Sequence, residues 1–324
     1  MTTAAGMAGP YLRSLADGEV GARRNWITHI VDGLREHPDV ELRTDGNWSD
    51  YDDRPVFMVK RGHRLTSGSL DLGHAATARE SYEIFKKIRV EHRLDAVSFQ
   101  VGIPGDLDLA FFAFGSAGTV RHRGTFRDAL AREIEEITGW GGQDVLFQLE
   151  VPAELVMVAT VPKPLRTAAA YLLVHGMVKQ VSAAPPGTRF GVHLCVGDLN
   201  NKALKRLSTV APAVSMVNAL LRIWPRGRSL EYVHVPLAAG DQPPPLEPGF
   251  YQPLESLAAL PRDTRFAAGL VHEAQEPGDQ RKILRTVESV LSRMVDVSPA
   301  CGLGRRSPQD ARHALERAVA LAES

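Results

Sequence analysis

The feature that most constrains the fold is a pattern that repeats six times between about residue 95 and the end of the chain. In each repeat, a short run of β-branched and apolar residues is followed by a loop and then by a segment with helical periodicity. The apolar runs are residues 96–104, 144–152, 189–198, 230–237, 265–273 and 295–302. Such alternation is typical of parallel strands joined by crossover helices, and the continuous apolar runs indicate strands buried on both faces.

Helical periodicity marks the segments between these runs. They are residues 125–139, 167–182, 202–223, 250–260, 279–294 and 307–324. In segment 279–294, Ile283, Val287, Leu291 and Met294 recur at helical spacing, which predicts a helix that packs one face on a sheet.

The number of repeats bears on the choice between an open doubly wound sheet and a closed barrel. No GxGxxG motif follows an early strand, which disfavours a dinucleotide-binding open sheet. Two less regular segments, around residues 11–20 and 55–60, bring the strand units to eight. We therefore predict an α/β fold with a single (β/α)₈ TIM-like barrel domain over residues 1–324. Its N-terminal part (1–94) is irregular, and its six clear units occupy residues 95–324.

Composition argues against several kinds of partner. Lys+Arg and Asp+Glu balance at 38 each, so no net charge favours nucleic acid or an anionic membrane. The first residues lack the basic and apolar regions of a secretory signal, and the most apolar stretch, residues 168–178, is too short to span a bilayer. Two cysteines fit a reducing compartment. We expect a cytoplasmic protein without nucleic-acid or membrane partners, and a homodimer stays open.

Both cysteines fall at the ends of predicted strands. His193 and Cys195 are two residues apart on one strand, so their side chains point to the same face. Cys301 ends the last strand, and strand ends converge at the mouth of a barrel. Two thiolates and an imidazole are a ligand set that suits Zn²⁺. Two other interpretations stay open, a Cys195–Cys301 disulfide and cysteines that pack as small apolar residues.

Other strand ends carry polar residues as well. Glu150 lies in an otherwise apolar strand, and because an unpaired buried carboxylate is costly, we expect it to meet a cation or an amine. His234 is a candidate fourth metal ligand, a substrate contact or a hydrogen-bonded core histidine. Asp198 and Glu273 are candidate catalytic groups or caps of the helices that follow them.

One N-terminal loop is rich in charge. Asp17, Glu19, Arg23, Arg24 and Trp26 lie within ten residues of one another. They are either a solvated turn or the polar lining of a substrate pocket.

Six short motifs, in this order, resemble those of the C-terminal catalytic barrel of cobalamin-independent methionine synthase, and more closely those of a short branch of that superfamily. They are ADGEVGARRNW (16–26), SFQVGIP (98–104), FQLEVP (147–152), HLCVGD (193–198), YVHVPL with FAAGLVHE (232–237 and 266–273) and SPACGLGRR (298–306).

The resemblance implies a zinc ion held by His193, Cys195 and Cys301, a small thiol as acceptor and a reduced folate as methyl donor. Glu150 matches an acidic residue that holds the ammonium group of an amino-acid substrate. The synthases have a glutamate as a further zinc ligand where this chain has His234. No counterpart of their first-strand Gly-Ser motif, which cradles the substrate carboxylate, is found near the N-terminus.

These observations predict a zinc-dependent transferase that moves a methyl or other alkyl group onto a thiol. A corrinoid-dependent thiol methyltransferase, as on the related uroporphyrinogen-decarboxylase barrel, is a variant that needs a corrinoid protein as partner. Alternatives from other classes are a metal-free lyase or decarboxylase in which Arg23 and Arg24 grip carboxylates, and a non-catalytic homologue.

Overall fold

The centre of the fold is a curled sheet of seven parallel strands. The protein is described by a computed structural model that covers residues 1–18 and 21–324, apart from the side chain of residue 22. Its strands are β1 (Ser14–Ala16), β2 (Val40–Thr44), β3 (Val56–Val59), β4 (Ser98–Pro104), β5 (Val145–Glu150), β6 (Arg189–His193), β7 (Ser229–Pro236), β8 (Arg265–Val271) and β9 (Asp296–Pro299). The sheet order is β1-β4-β5-β6-β7-β8-β9, so each strand pairs with the next strand of the sheet in the chain.

Most of the helices lie between strands in the chain, whereas the first precedes β1 and the last follows β9. They are α1 (Thr2–Ala8), α2 (Thr28–Gly33), α3 (His74–Glu91), α4 (Asp106–Gly141), α5 (Pro152–Thr160), α6 (Arg166–Ala183), α7 (Ala211–Ile223), α8 (Pro277–Leu291) and α9 (Pro308–Ala322). α4 consists of two helical stretches that meet at Gly115, whose backbone is not helical. No helix in the described ranges is long and apolar enough to cross a membrane.

The α/β class and the six C-terminal strands are confirmed, whereas the predicted barrel strand at 55–60 is wrong. That segment forms β3, which pairs antiparallel with β2 in a separate hairpin. Met58 is 45% exposed, although a parallel barrel strand would be covered on both faces. In the described residues the sheet therefore has seven strands with β1 and β9 at its edges, and a closed eight-stranded barrel is not formed.

Two predicted helices are shorter than their periodicity indicated. The segment 202–223 becomes helical only at Ala211, because Pro212 lacks the amide hydrogen that a helix interior needs and fits the first turn of a helix. The segment 250–260 forms 3₁₀ turns at Pro248–Phe250 and Gln252–Leu257.

The two faces of the sheet differ in polarity. Phe147 and Leu149 of β5 join the large apolar core beneath the helices. The alternate residues Gln148 and Glu150 lie on the opposite, concave face and line a cavity. This alternation directs polar side chains of neighbouring strands to one place, at the carboxyl edge of the sheet.

Candidate metal centre and its cavity

Three side chains converge at the carboxyl edge of the sheet. His193 ends β6, Cys195 follows two residues later, and Cys301 lies two residues beyond β9. Their potential ligand atoms all lie within 4.8 Å of one another, and the two sulfurs are 3.6 Å apart. In the part of the chain that the structure describes, no other group of three His, Cys, Asp or Glu residues meets this geometry. The structure thus brings the three predicted ligands together.

The two thiols change each other's ionisation. The hydrogen bond from the Cys195 thiol lowers the pKa of Cys301, and so does the Arg305 guanidinium, whose Nη2 lies 3.2 Å from Cys301 Sγ. The same contact raises the pKa of Cys195, as does its burial. The pair alone therefore favours one thiolate, whereas a divalent cation would favour two. This sulfur, sulfur and nitrogen donor set fits Zn²⁺.

Asp198 lies beside the thiols in an ion pair. Arg305 Nε donates to Asp198 Oδ2 at 3.1 Å. Burial and the nearby charge of Cys301 raise the pKa of Asp198 to about 7. The sequence analysis did not single out Arg305, although its motif SPACGLGRR contains the residue.

His234 flanks the centre but does not belong to the converging group. It pairs in register with His193, and the two rings stack with their centroids 4.4 Å apart. Its Nε2 lies 3.0 Å from the carbonyl oxygen of Pro299, which leaves Nδ1 as the ring nitrogen without a hydrogen-bond partner. Burial and the neighbouring His193 lower the pKa of His234 to about 3, so the ring is neutral.

Glu150 ends β5 next to this centre. Its Oε1 accepts a hydrogen bond from Gln148 Nε2 at 2.9 Å. Burial raises the pKa of the carboxyl group, while the charge of His193 lowers it. A Cβ atom at Gly102 would lie 2.8 Å from Glu150 Oε1, so glycine at this position leaves room for the carboxylate.

The charged N-terminal loop is only partly a pocket lining. Asp17 lies in the cavity wall and pairs with Arg23, whose Nη1 lies 2.8 Å from Asp17 Oδ2. Arg23 also donates to the carbonyl oxygen of Gly18. Arg24 is exposed and donates to the carbonyl oxygen of Gly304. Glu19 lies outside the described residues.

Glu273 lies away from the cavity. Both of its carboxylate oxygens accept from Arg306 Nε, at 2.9 and 3.0 Å. This ion pair links the segment that follows β8 to the segment that follows β9.

A cavity of about 770 Å³ opens from the three converging side chains. Trp48, Tyr51 and Phe112 form an aromatic wall, in which the rings of Trp48 and Tyr51 each lie 6.3 Å from Phe112. The Tyr51 hydroxyl accepts from the backbone N–H of Leu199 at 2.8 Å. Sequence reasoning missed this wall, because Trp48 and Tyr51 come from a loop between β2 and β3 with no motif of its own.

The fold and the site define an α/β protein with a His/Cys/Cys centre at the carboxyl edge of a curled parallel sheet. A similar fold occurs in a candidate vitamin-B12-independent methionine synthase from Listeria monocytogenes, with a TM-score of 0.54 and 14% identity over 99% of this chain and 83% of that one. It also occurs in a methyltransferase from Methanosarcina mazei, with a TM-score of 0.56 and 13% identity over the same shares of the two chains. No protein-family profile and no curated protein sequence matches the chain.

Both likenesses, at 14% and 13% identity, show a shared fold, and this fold agrees with the one that the resemblance of the six motifs implies. The resemblance is thereby confirmed at the level of the fold.

Proposed function

We propose that this protein is a zinc-dependent enzyme that activates a thiol and transfers a methyl or other alkyl group to its sulfur. The observation that carries the proposal is the convergence of His193, Cys195 and Cys301 within 4.8 Å at the wall of a large cavity. Three protein ligands and an adjoining cavity are typical of a catalytic zinc site, which keeps one position for a substrate. The methyltransferase among the structures of similar fold supports the reaction class.

Zinc bound here would lower the pKa of a thiol ligand and so supply a sulfur nucleophile at neutral pH. The chain's own residues prepare the site for this chemistry. The Arg305 guanidinium stabilises the negative charge on Cys301 and is itself held by Asp198. Glu150 faces the cavity beside His193, where it can orient the polar end of the substrate.

The reaction needs no oxidant or reductant. The sulfur forms a bond to the alkyl carbon, and the bond between that carbon and its carrier breaks with the electron pair going to the carrier. The proton of the thiol passes to solvent. A cavity of about 770 Å³ is large enough for a thiol and a donor of reduced-folate size together. A corrinoid protein is the alternative donor.

The metal-free lyase has less support. It requires Arg23 and Arg24 to grip substrate carboxylates, yet Arg23 is paired with Asp17, and Arg24 is exposed outside the cavity lining.

The proposal is tested by single-turnover methylation of 2-mercaptoethanol with the zinc-loaded protein. Trimethylsulfonium, 5-methyltetrahydrofolate and methylcobalamin would serve in parallel as donors. We expect thioether formation with at least one donor, with a rate at least 100-fold lower in Cys301→Ser and unchanged in the surface control Glu247→Gln. Rates no higher than the protein-free blank with all three donors would refute the proposal.

A further inference from the structure

The sulfur atoms of Cys195 and Cys301 differ in their surroundings. Cys195 is buried, at 5% exposure, and its Sγ accepts a hydrogen bond from the backbone N–H of Gly197 at 3.3 Å. Cys301 is partly exposed in the cavity wall, and Arg305 Nη2 lies 3.2 Å from its Sγ. The sulfur that is more open to the cavity is therefore the one with a positively charged donor.

We propose that Arg305 is a positioning residue that decides which sulfur reacts. Its hydrogen bond to Cys301 Sγ protects this metal ligand from alkylation, so that the alkyl group goes to the substrate thiol. The inference rests on the proposed function, because it concerns the selectivity of the same transfer.

The protein holds the Arg305 guanidinium against Cys301 through two further contacts. Arg305 ends the 3₁₀ turn Leu303–Arg305, which returns the chain towards Cys301. Its Nε donates to Asp198 Oδ2 and its Nη1 donates to the carbonyl oxygen of Arg24, both at 3.1 Å. The side chains of Arg305 and Asp198 are only 8% and 1% exposed. Because each guanidinium nitrogen has a protein partner, the contact with the sulfur is preorganised.

The Arg305 contact differs in kind from the other contacts of Cys301. Cys195 and His193 also form hydrogen bonds with Cys301. Both residues are candidate ligands of the same metal, and an atom that binds the metal no longer takes part in such a hydrogen bond. Arg305 has no acceptor atom and stays protonated, so it cannot become a ligand. It therefore remains a donor to Cys301 when the centre is loaded.

Protection of this kind follows from the chemistry of sulfur. Cysteine ligands bind a metal as thiolates, so the sulfurs of a loaded centre differ in nucleophilicity rather than in ionisation. A hydrogen bond from a cation draws negative charge away from a sulfur and makes it a poorer nucleophile. The substrate sulfur does not receive this bond, because each nitrogen of Arg305 already has a protein partner.

Loss of the bond would have a defined consequence. The Cys301 sulfur would form a bond to the alkyl carbon, and the bond between that carbon and its carrier would break with the electron pair going to the carrier. The product is a neutral thioether in place of the thiolate that Zn²⁺ prefers, so the event would inactivate the centre.

The test measures methylation of both cysteines in the zinc-loaded full chain by iodomethane, a small donor that needs no binding site. Mass spectrometry of the digested protein gives the rate at each cysteine. Because both rates come from the same molecule, the ratio of the Cys301 rate to the Cys195 rate does not respond to a general loosening of the fold.

Arg305→Gln should raise this ratio about ten-fold or more. Arg305→Lys, which keeps a cation but has fewer donors, should raise it less. Arg281→Gln, an exposed control on α8, should leave it unchanged. The sulfur-to-cobalt charge-transfer absorption of the cobalt(II)-loaded form reports intact thiolate ligation in each variant.

Two outcomes separate the two proposals. The same ratio in wild type and Arg305→Gln overturns the protection by Arg305 alone, and thioether formation in the single-turnover assay with 2-mercaptoethanol would still support the proposed function. Failure of that assay with all three donors overturns the proposed function, and the inference with it.

Discussion

Asp108 and Glu154 are buried carboxyl groups that lie on the same side of Gly105. A Cβ atom placed on Gly105 would lie 2.5 Å from Asp108 Oδ2 and 3.4 Å from Glu154 Oε1, so the two groups are neighbours. Asp108 Oδ1 accepts from the backbone N–H of Ala153, whereas Oδ2 has no hydrogen-bond partner in the described residues. Burial, and then the charge of Glu154, raise the pKa of Asp108 well above its usual value. A proton shared between the two carboxyl groups accounts for these features.

This pair makes stability depend on pH in a defined direction. The folded protein binds the shared proton more tightly than the unfolded chain does. The proton therefore stabilises the fold fully below about pH 4, and this stabilisation is lost as the pH rises through the folded-state pKa of the pair. Asp108→Asn retains an acceptor for Ala153 and supplies a permanent donor to Glu154. We expect the variant to be more stable than wild type at pH 8 by about 1 kcal/mol and to lose less stability between pH 5 and 8.

Urea unfolding across this pH range checks the prediction, with the exposed Asp128→Asn as control. A variant with the same pH dependence as wild type would show that Asp108 does not hold the extra proton.

At the scale of elements, the break in α4 decides how the helix packs. An uninterrupted helix would place residues 106 and 123 about 25 Å apart along its axis. Arg123 Nε instead lies 2.6 Å from Asp106 Oδ1, so the chain must turn back between them. Gly115 provides the turn with φ 65° and ψ −175°, a conformation that is essentially restricted to glycine.

Two glycine substitutions in α4 should therefore have opposite effects. Gly115→Ala should lower the free energy of unfolding by about 1–3 kcal/mol, because alanine is strained in this backbone conformation even though its Cβ would meet only Val56 Cγ1, at 3.8 Å. Gly139→Ala should raise it by about 0.5–1 kcal/mol, because a Cβ would meet nothing within 4 Å in a regular helical turn. Denaturant unfolding of both variants measures the difference, and a shift in the same direction for both would contradict this account of the break.

The elements also show what the sequence can predict. Strands β4–β8 were predictable because each contains a buried apolar run. Strand β9 is only partly buried, and the helical period that follows it made it predictable. The β2–β3 hairpin was not, since the run 55–60 has the composition of a barrel strand and only its antiparallel pairing with Val40–Thr44 distinguishes it.

In the candidate site, too, the sequence predicts local features but not contacts between distant strands. The convergence of His193, Cys195 and Cys301 was predictable. Residues two apart on a strand, such as His193 and Cys195, point to the same face, and Cys301 lies at the end of another strand of the same sheet. Gln148 and Tyr232 were not singled out, because their contacts join strands that are 84 residues apart in the chain. Pairings of this kind depend on the sheet order rather than on any local pattern.

At the scale of the whole molecule, the metal centre would join distant parts of the sheet. His193 ends β6 and Cys195 follows it, whereas Cys301 follows β9, three strands further along the sheet. A metal that binds the folded state alone stabilises it by mass action, by about 4 kcal/mol at a concentration 1,000 times its dissociation constant.

Removal of the metal should therefore lower the melting temperature. We expect a chelator to reduce the Tm of wild type by about 5–10 °C and that of Cys301→Ser by less than about 1 °C. Differential scanning calorimetry with readdition of Zn²⁺ checks the effect. An equal decrease in both proteins would mean that the chelator acts elsewhere.

The zinc content per chain tests the central claim most directly. Protein purified under reducing conditions without added metal would be measured for wild type, Cys195→Ser and Cys301→Ser. The account predicts about one zinc per chain in wild type and its loss in both variants. No zinc in wild type, even after reconstitution under reducing conditions, would contradict it and leave His193 and Cys195 as packing residues at the edge of the sheet.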